Sequence, residues 1–115
     1  MIKRETFTIK GTNSAQINAT NHICIEDRNN AEKHGNLPHN SFTIANTNTS
    51  CTVFIFLDDF SDQDKPDYIL FPSQQITVEV DEGVTFSHMW LKNTHAANNI
   101  LANEIKYKIS TIKVV

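Results

Sequence analysis

An acidic stretch in the middle of the sequence, Asp58 to Asp67, carries five carboxylates and one lysine. Carboxylate oxygens are the ligands that Ca²⁺ prefers in proteins. The stretch lacks the Asp-x-Asp-x-Asp-Gly order of an EF-hand loop, however, and Lys65-Pro66 interrupts it. We therefore predict a solvated hairpin tip, whose charges discourage pairing with a wrong strand edge, and we assign no metal to it.

The histidines and cysteines do not form a metal-ligand pattern. His34 and His39 share a polar segment, but no Cys or carboxylate is spaced with them as in a structural zinc site. His22 and Cys24 would share one face of a strand, which supplies half of a tetrahedral site. We expect Cys24 and Cys51 to be buried thiols in a reducing compartment; the alternative is a disulfide between them if their strands pair.

Residue patterns for catalysis are missing from the sequence. There is no G-x-S-x-G, no phosphate-binding loop and no paired-carboxylate motif. Nucleophilic catalysis also needs a serine or cysteine placed against a base and an orienting group, which no spacing here indicates. We predict that the chain is not an enzyme, has no catalytic residue and binds no cofactor.

Aromatic side chains are the remaining candidates for binding. Trp90, Tyr68 and Phe71 lie in phase with predicted strand cores, whereas Phe60 lies in the acidic stretch with no apolar neighbour beyond Leu57. Phe60 is therefore either a plug over one end of the domain or an exposed contact for another subunit. Sugar-binding sandwiches expose aromatic rings, so we keep carbohydrate binding as the alternative function, through exposed aromatics near Phe60, Tyr68 or Trp90.

A strand from Val53 to Leu57 is the clearest element that could position these residues. Val53, Ile55 and Leu57 fall on one face of an extended chain, and Phe54 and Phe56 fall on the other. We predict that the branched aliphatic face meets an opposing sheet. The Phe54 and Phe56 face must then be covered by a loop, an N-terminal segment or another subunit, and it is a candidate interaction surface.

Other alternating runs lie on both sides of this strand, with turn residues between them. Their short spacing requires antiparallel pairing, because a parallel neighbour needs a long crossover. Residues 1–115 are thus predicted to form a single all-β domain, an antiparallel two-sheet β-sandwich of about eight strands that is jelly-roll-like; a small β-barrel is the alternative. The predicted strands are Ile2–Lys10, Ala15–Asn18, His22–Glu26, Ser41–Ala45, Val53–Leu57, Tyr68–Phe71, Ile76–Val80, Val84–Trp90 and Glu104–Val115.

The last predicted strand changes phase. Its apolar residues stand at odd positions up to Ile109 and at even positions from Ile112. A shift of one residue predicts a bulge, or a strand that passes from one sheet to the other. The sequence ends on Val114 and Val115, which we expect to be buried against the domain or a neighbour and count as candidate interaction residues.

The composition supports an all-β protein and argues against some partners. Ile, Val and Phe dominate the apolar residues, and the frequent Asn is expected to serve turns in the left-handed region. A net charge of -3 with no local run of Lys and Arg argues against direct nucleic-acid binding. No run has the length of a membrane span, and the N-terminus lacks the apolar core of a signal peptide, so we expect cytoplasmic synthesis. The polar segment from Asp27 to Asn40 is the longest predicted loop.

The middle of the chain, Ser41 to Leu91, contains an ordered set of strands and turns: Phe42-Thr-Ile-Ala-Asn, Val53-Phe-Ile-Phe-Leu-Asp-Asp, Tyr68-Ile-Leu, and Ile76 through Glu82-Gly-Val-Thr85. This order resembles small structural proteins of tailed bacteriophages, in which an I-x-N-x turn precedes a V-x-L-Y-L-D-D-G strand, a Y-Y-I-L strand and an I-P-x-G-V-T-L strand. The sequence departs from that pattern in the enlarged acidic hairpin after Asp58-Asp59 and in the run Val80-Asp81-Glu82, which replaces a proline-containing approach.

The resemblance implies a compact β-sandwich that decorates a capsid or builds a neck or tail. We therefore expect a non-enzymatic virion structural protein, made in the host cytoplasm, that acts as a decoration, stabilising or connector subunit. Its expected partners are other virion proteins, in a symmetric homo-oligomer or multi-copy assembly, with no direct nucleic-acid contact and no membrane contact. A carbohydrate-binding module that uses exposed aromatics is the alternative, and a cytoplasmic regulator of host proteins is a third possibility.

Overall fold

The structure, a computed structural model of the chain, describes residues 4–26 and 38–114. Within these residues the alternating runs of the sequence form eight strands. A 3-10 turn, Val80–Glu82, ends on Gly83, whose φ of 76° lies in the left-handed region that glycine adopts without strain. The strands are β1 (Arg4–Thr12), β2 (His22–Glu26), β3 (Ser41–Asn46), β4 (Val53–Leu57), β5 (Tyr68–Leu70), β6 (Gln75–Val78), β7 (Met89–Asn93) and β8 (Ile105–Val114).

The strands pair into two antiparallel four-stranded sheets. The first sheet has the order β1-β8-β3-β6, and the second sheet has the order β2-β7-β4-β5. The antiparallel pairs β1 with β8, β2 with β7, β3 with β6 and β4 with β5 are those of one long hairpin ribbon. Folding such a ribbon into two facing sheets produces a jelly roll. The predicted eight-stranded, jelly-roll-like sandwich is confirmed.

The core lies between the inner faces of the two sheets. Val53 and Ile55 of β4 are fully buried there, and Leu57 packs against the same cluster, as the alternation predicts. The Phe42 ring meets the rings of Tyr68 and Phe86 edge to face, each at a centroid distance of 5.6 Å. The remaining fully buried apolar residues come from both sheets and the loops between them: Ile17, Ile44, Cys51, Leu70, Val78, Met89, Leu91, Ile100, Ile105 and Ile109.

The predicted bulge or sheet change in β8 is wrong. The register of β8 against β1 runs without interruption from Lys106 opposite Thr12 to Val114 opposite Arg4. The strand stays regular although its apolar residues change phase, because Thr111 occupies a buried position there. Its hydroxyl lies 2.9 Å from Nδ1 of the buried His39. A polar residue is tolerated at such a position when it is hydrogen-bonded.

The predicted strand from Val84 to Trp90 is only partly formed, because β7 begins at Met89. Phe86 is buried and forms an isolated bridge with His39, whereas the next buried residue is Met89, three positions on. The side-chain phase therefore changes between them. As a result Trp90 lies on the outer face of the second sheet rather than in the core beside Phe86, which corrects the sequence prediction.

Asparagine has a different role from the predicted one. Among the described residues Asn103 is the one asparagine with a positive φ, 68°; the other non-glycine residues in that region are Thr20, Asp58 and Ser73. Four asparagines are instead buried where strands end: Asn13, Asn46, Asn48 and Asn93.

Each buried asparagine ties together segments that are distant in sequence. Asn93 donates from Nδ2 to the carbonyl oxygens of Ile17 (3.1 Å) and Asn98 (2.9 Å) and accepts from the His95 N–H (3.0 Å). A short side chain with both donors and an acceptor can satisfy several loop backbone groups away from water. The buried asparagines thus hold one end of the sandwich, where the loops before β2, β4, β6 and β8 meet.

The two cysteines differ in burial. Cys51 is buried as expected, but Cys24 is exposed on the second sheet, and the two are not joined by a disulfide.

Other predicted segments are reduced in the structure or lie outside its described residues. The predicted strand Ala15–Asn18 is reduced to one bridge between Ile17 and Ile100. Most of the predicted long loop, residues 27–37, and Val115 lie outside the described residues. The described part of the chain contains no helix that is long and apolar enough to cross a membrane.

Candidate interaction face

The outer face of the second sheet carries a group of apolar side chains. Phe54 and Phe56 of β4 share this face, Ile69 of β5 is the neighbour of Phe54, and Trp90 of β7 is the neighbour of Phe56. Outward positions of a sandwich are normally polar, because they face water. We name these four residues, together with Phe60 from the loop above them, the aromatic face.

Phe60 covers the centre of this face. Its ring stands edge to face on Phe56, with a centroid distance of 4.8 Å and an interplanar angle of 90°, and it stacks on Trp90 at 5.8 Å and 19°. The ring of His22 lies 4.4 Å from it on the other side. Phe60 is therefore the plug, one of the two roles that the sequence allowed, and it covers a sheet face rather than the end of the domain.

The acidic loop Asp58–Asp67 holds Phe60 in this position through its carboxylates. Asp58 Oδ1 accepts hydrogen bonds from the N–H groups of Ser87 (2.8 Å) and His88 (2.9 Å), and Asp67 Oδ2 accepts from the Leu57 N–H (2.7 Å). The bonds to Ser87 and His88 also occupy the backbone just before β7, which accounts for the interruption of the predicted strand there.

A third carboxylate of the loop has the same role. Asp59 Oδ1 accepts from the Ser61 hydroxyl (2.6 Å) and the Ser61 N–H (2.9 Å), and these bonds, the hydroxyl first, hold the pKa of Asp59 below its ordinary value. Asp62 lies 3.6 Å from Lys65 in an exposed ion pair, which contributes little stability. The described residues contain no group of three His, Cys, Asp or Glu that could hold a metal ion.

The part of the aromatic face that Phe60 leaves uncovered forms a strip across three strands. Ile69 on the edge strand β5 is 43% exposed, and Phe54 and Trp90 are half-buried. Polar groups border the strip: Lys92 is the neighbour of Phe54 in β7, and the His88 ring lies 5.3 Å from Trp90. The strip offers apolar area and aromatic rings to a partner, with donors at its margin.

The predicted site residues separate into two groups. Phe54, Phe56 and Phe60 come together on the second sheet, where Phe54 remains accessible and Phe56 is fully buried beneath Phe60. Val114 lies on the first sheet, at the end of β8 opposite Arg4. The predicted apolar chain end is thus not part of the aromatic face.

Ile69 was not recognised from the sequence as a member of the aromatic face, and Trp90 was named as an exposed aromatic only in the alternative, carbohydrate-binding interpretation. Ile69 is outward because Tyr68 and Leu70, on either side of it, point into the core, an alternation that is visible in three residues but is too short to be decisive. Trp90 was assigned to the core from its spacing to Phe86, and no local pattern marks the change of phase between them.

Comparison with protein-family models, with curated proteins and with solved structures finds no match to this chain. The observations that bear on its function are therefore those of its own residues: a jelly-roll sandwich with an aromatic outer face.

Proposed function

We propose that this chain is a non-enzymatic structural subunit of the virion of a tailed bacteriophage, and that it docks on a capsid, neck or tail protein through the aromatic face. The resemblance of Ser41 to Leu91 supplies the virion context. Jelly rolls serve as capsid subunits and as lectins, so the fold is compatible with this role without selecting it.

The observation that carries the proposal is the exposed strip of Phe54, Ile69 and Trp90. An outer sheet face in a monomer would be stabilised by polar side chains, whereas this one leaves an aliphatic and two aromatic groups in contact with water. Full burial of an exposed side chain of this size contributes about 1.5 to 3 kcal/mol, and covering the exposed parts of these three side chains contributes a fraction of that for each. Aromatic residues at the centre of an apolar patch are also the usual anchors of protein interfaces.

The direct test is the protein composition of purified phage particles. Mass spectrometry should find this chain at a fixed copy number relative to the major capsid protein, and the chain should remain with the particles through repeated density-gradient centrifugation. Its absence from intact particles would refute the proposed function.

Variants of the strip test how the subunit docks. Phe54→Ser combined with Ile69→Ser should leave the fold intact, because both side chains are partly exposed, but should lower the copy number in particles. Leu101→Ser is the matched control, since Leu101 is 56% exposed in the loop between β7 and β8, away from the strip. Equal incorporation of the strip variant and the control would show that docking uses another surface.

A carbohydrate-binding module is the second candidate, and the half-buried ring of Trp90 with His88 and Lys92 beside it is the observation that favours it. Such a site would combine an aromatic platform with polar donors. Trp90 is the single tryptophan of the chain, so its fluorescence reports directly on this face. A glycan array followed by titration of any hit should show a saturable change in emission if sugars bind here, and none if the face serves protein contacts alone.

A further inference from the structure

The outer face of the first sheet carries a groove that the proposed function does not use. The groove has a volume of about 470 Å³ and crosses all four strands of this sheet. Its outward side chains are basic or neutral: Lys10, Thr12, Thr43, Gln75, Lys106 and Lys108. We name it the lysine groove. A smaller groove of about 240 Å³ continues it past Thr43 and Lys108 and contains one acidic residue, Glu79.

Three lysines are brought together by the pairing of the first strand with the last. Lys10 lies directly opposite Lys108 in the register of β1 against β8, and Lys106 is two positions from Lys108 on the same face. Like charges at directly opposed positions of a sheet destabilise the pairing. Within residues 4–26 and 38–114 no ion pair reaches any of the three, so no described residue neutralises their charge by direct contact.

The complementary charge lies on the same chain but on the other sheet. The tip of the acidic loop, between β4 and β5, presents Asp62 and Asp64, both exposed, beside Lys65, which lies 3.6 Å from Asp62; two carboxylates against one ammonium leave the tip negative. The base of the loop is fixed to the second sheet by the carboxylate hydrogen bonds of Asp58 and Asp67 and by the stacked ring of Phe60. A loop whose base is already fixed loses less conformational entropy when it binds, which favours it as a docking element.

We propose that the acidic loop of one copy docks in the lysine groove of a second copy of this chain. The assignment rests on the proposed function, since a multi-copy assembly places many copies side by side. Groove and loop lie on different sheets, so the contact is head to tail, and its repetition generates a ring or a filament. The loop carboxylates would then neutralise the three lysines that no described residue pairs with.

The experiment is sedimentation velocity of the full chain at two salt concentrations. Between about 0.01 M and about 1 M salt the screening length falls from about 30 Å to about 3 Å. We expect concentration-dependent self-association at low salt and a dissociation constant at least about tenfold larger at high salt. Association through the aromatic face would instead persist at high salt, because apolar burial is not screened.

Charge reversal on each side identifies the contact. A groove variant, Lys106→Glu with Lys108→Glu, and a loop variant, Asp62→Lys with Asp64→Lys, should each lose low-salt self-association. An equimolar mixture of the two should recover it, because the loop of each is then opposite in charge to the groove of the other. Lys113→Glu is the control for position: it makes one Lys-to-Glu change on the same strand, outside the groove, and should leave low-salt self-association in place.

Three outcomes would overturn the proposal: a wild-type chain that stays monomeric at low salt, self-association that survives in the groove variant, or a mixture that does not recover it. Lysine-dependent retention on heparin by a monomeric chain would identify the occupant of the groove as a polyanion rather than a second copy. The proposed virion role is tested separately, by the protein composition of the particles. A chain that is monomeric in solution but present in particles would refute the groove contact and leave the virion role standing.

Discussion

Replacing Phe60 by alanine is the sharpest test of the aromatic face. In the folded chain the Phe60 ring lies 4.8 Å from Phe56, 5.8 Å from Trp90 and 4.4 Å from His22. The substitution removes these contacts and opens the fully buried Phe56 to water. The backbone of the loop should keep its place, because the Asp58 and Asp67 hydrogen bonds do not involve the Phe60 side chain.

The expected loss of stability follows from two contributions. Full burial of a phenylalanine side chain contributes about 1.5 to 3 kcal/mol, so the half-buried Phe60 supplies about 1 kcal/mol of apolar burial. Each well-oriented aromatic pair adds about 0.5 to 1.5 kcal/mol, and Phe60 forms two such pairs with Phe56 and Trp90. The free energy of unfolding should therefore fall by about 2 to 4 kcal/mol, which lowers the melting temperature of a domain of this size by on the order of 10 °C.

The assay is denaturant unfolding followed by the fluorescence of Trp90. The Phe60→Ala chain should unfold at a lower denaturant concentration with an unchanged slope, and its native emission should shift to the red because the Trp90 ring gains contact with water. Phe60→Leu keeps most of the apolar area without ring stacking and should lose about half as much. Gln63→Ala, an exposed change in the same loop, should stay within about 0.5 kcal/mol of the wild type. A Phe60→Ala chain with wild-type stability and emission would show that the loop does not cover the sheet.

Three further predictions concern the core and its margins. Asn93→Ala should lower the free energy of unfolding by about 3 kcal/mol, and Asn93→Asp by more, because a carboxylate cannot donate to the carbonyl oxygen of Ile17; equal stability of the two variants in denaturant would contradict this. Gly11→Ala would place a Cβ 2.6 Å from the Tyr107 hydroxyl, so we expect calorimetry to show a loss of about 1 to 2 kcal/mol that shrinks in a Tyr107→Leu background, and an unchanged loss would exclude this clash as its cause. Burial, and then the charges of Glu82 and Asp67, raise the pKa of Tyr68 above 10.0. The stability that the neutral phenol contributes is therefore complete below pH 10.0 and is lost as the pH rises through the pKa of the folded state. Above pH 10.0 the melting temperature should decline less steeply for Tyr68→Phe than for the wild type, and identical declines would contradict this prediction.

The strands and the fold class could be predicted because they depend on local alternation. Val53, Ile55 and Leu57 point inward as their spacing indicates, and the short distances between strands require antiparallel pairs. The acidic loop was also located correctly as a hairpin tip. The role of its carboxylates could not be predicted, because the sequence shows the carboxylates but not the backbone N–H groups that they bind.

The errors of prediction arose where distant segments override the local period. Trp90 was assigned to the core because it is in phase with Phe86, but the Asp58 carboxylate, about thirty residues earlier in the chain, binds the Ser87 and His88 N–H groups and interrupts the strand. In β8 the phase change suggested a bulge. Pairing with Arg4–Thr12 instead keeps the strand regular, and the buried Thr111 forms a hydrogen bond with the buried His39. Neither partner is recognisable from the residues next to it.

The amino-acid sequence by itself determined most of the strands, the apolar face of strands such as Val53–Leu57 and the position of the acidic hairpin, because these depend on residues within a few positions of one another. Only the tertiary structure decided which residues form the aromatic face and the lysine groove. It packs Phe60 against Phe56 and Trp90, and it places Lys10 opposite Lys108, almost a hundred residues away. The physical reason is that the register between distant strands is set by packing of the whole core, so a cluster assembled across strands has no counterpart in any local pattern.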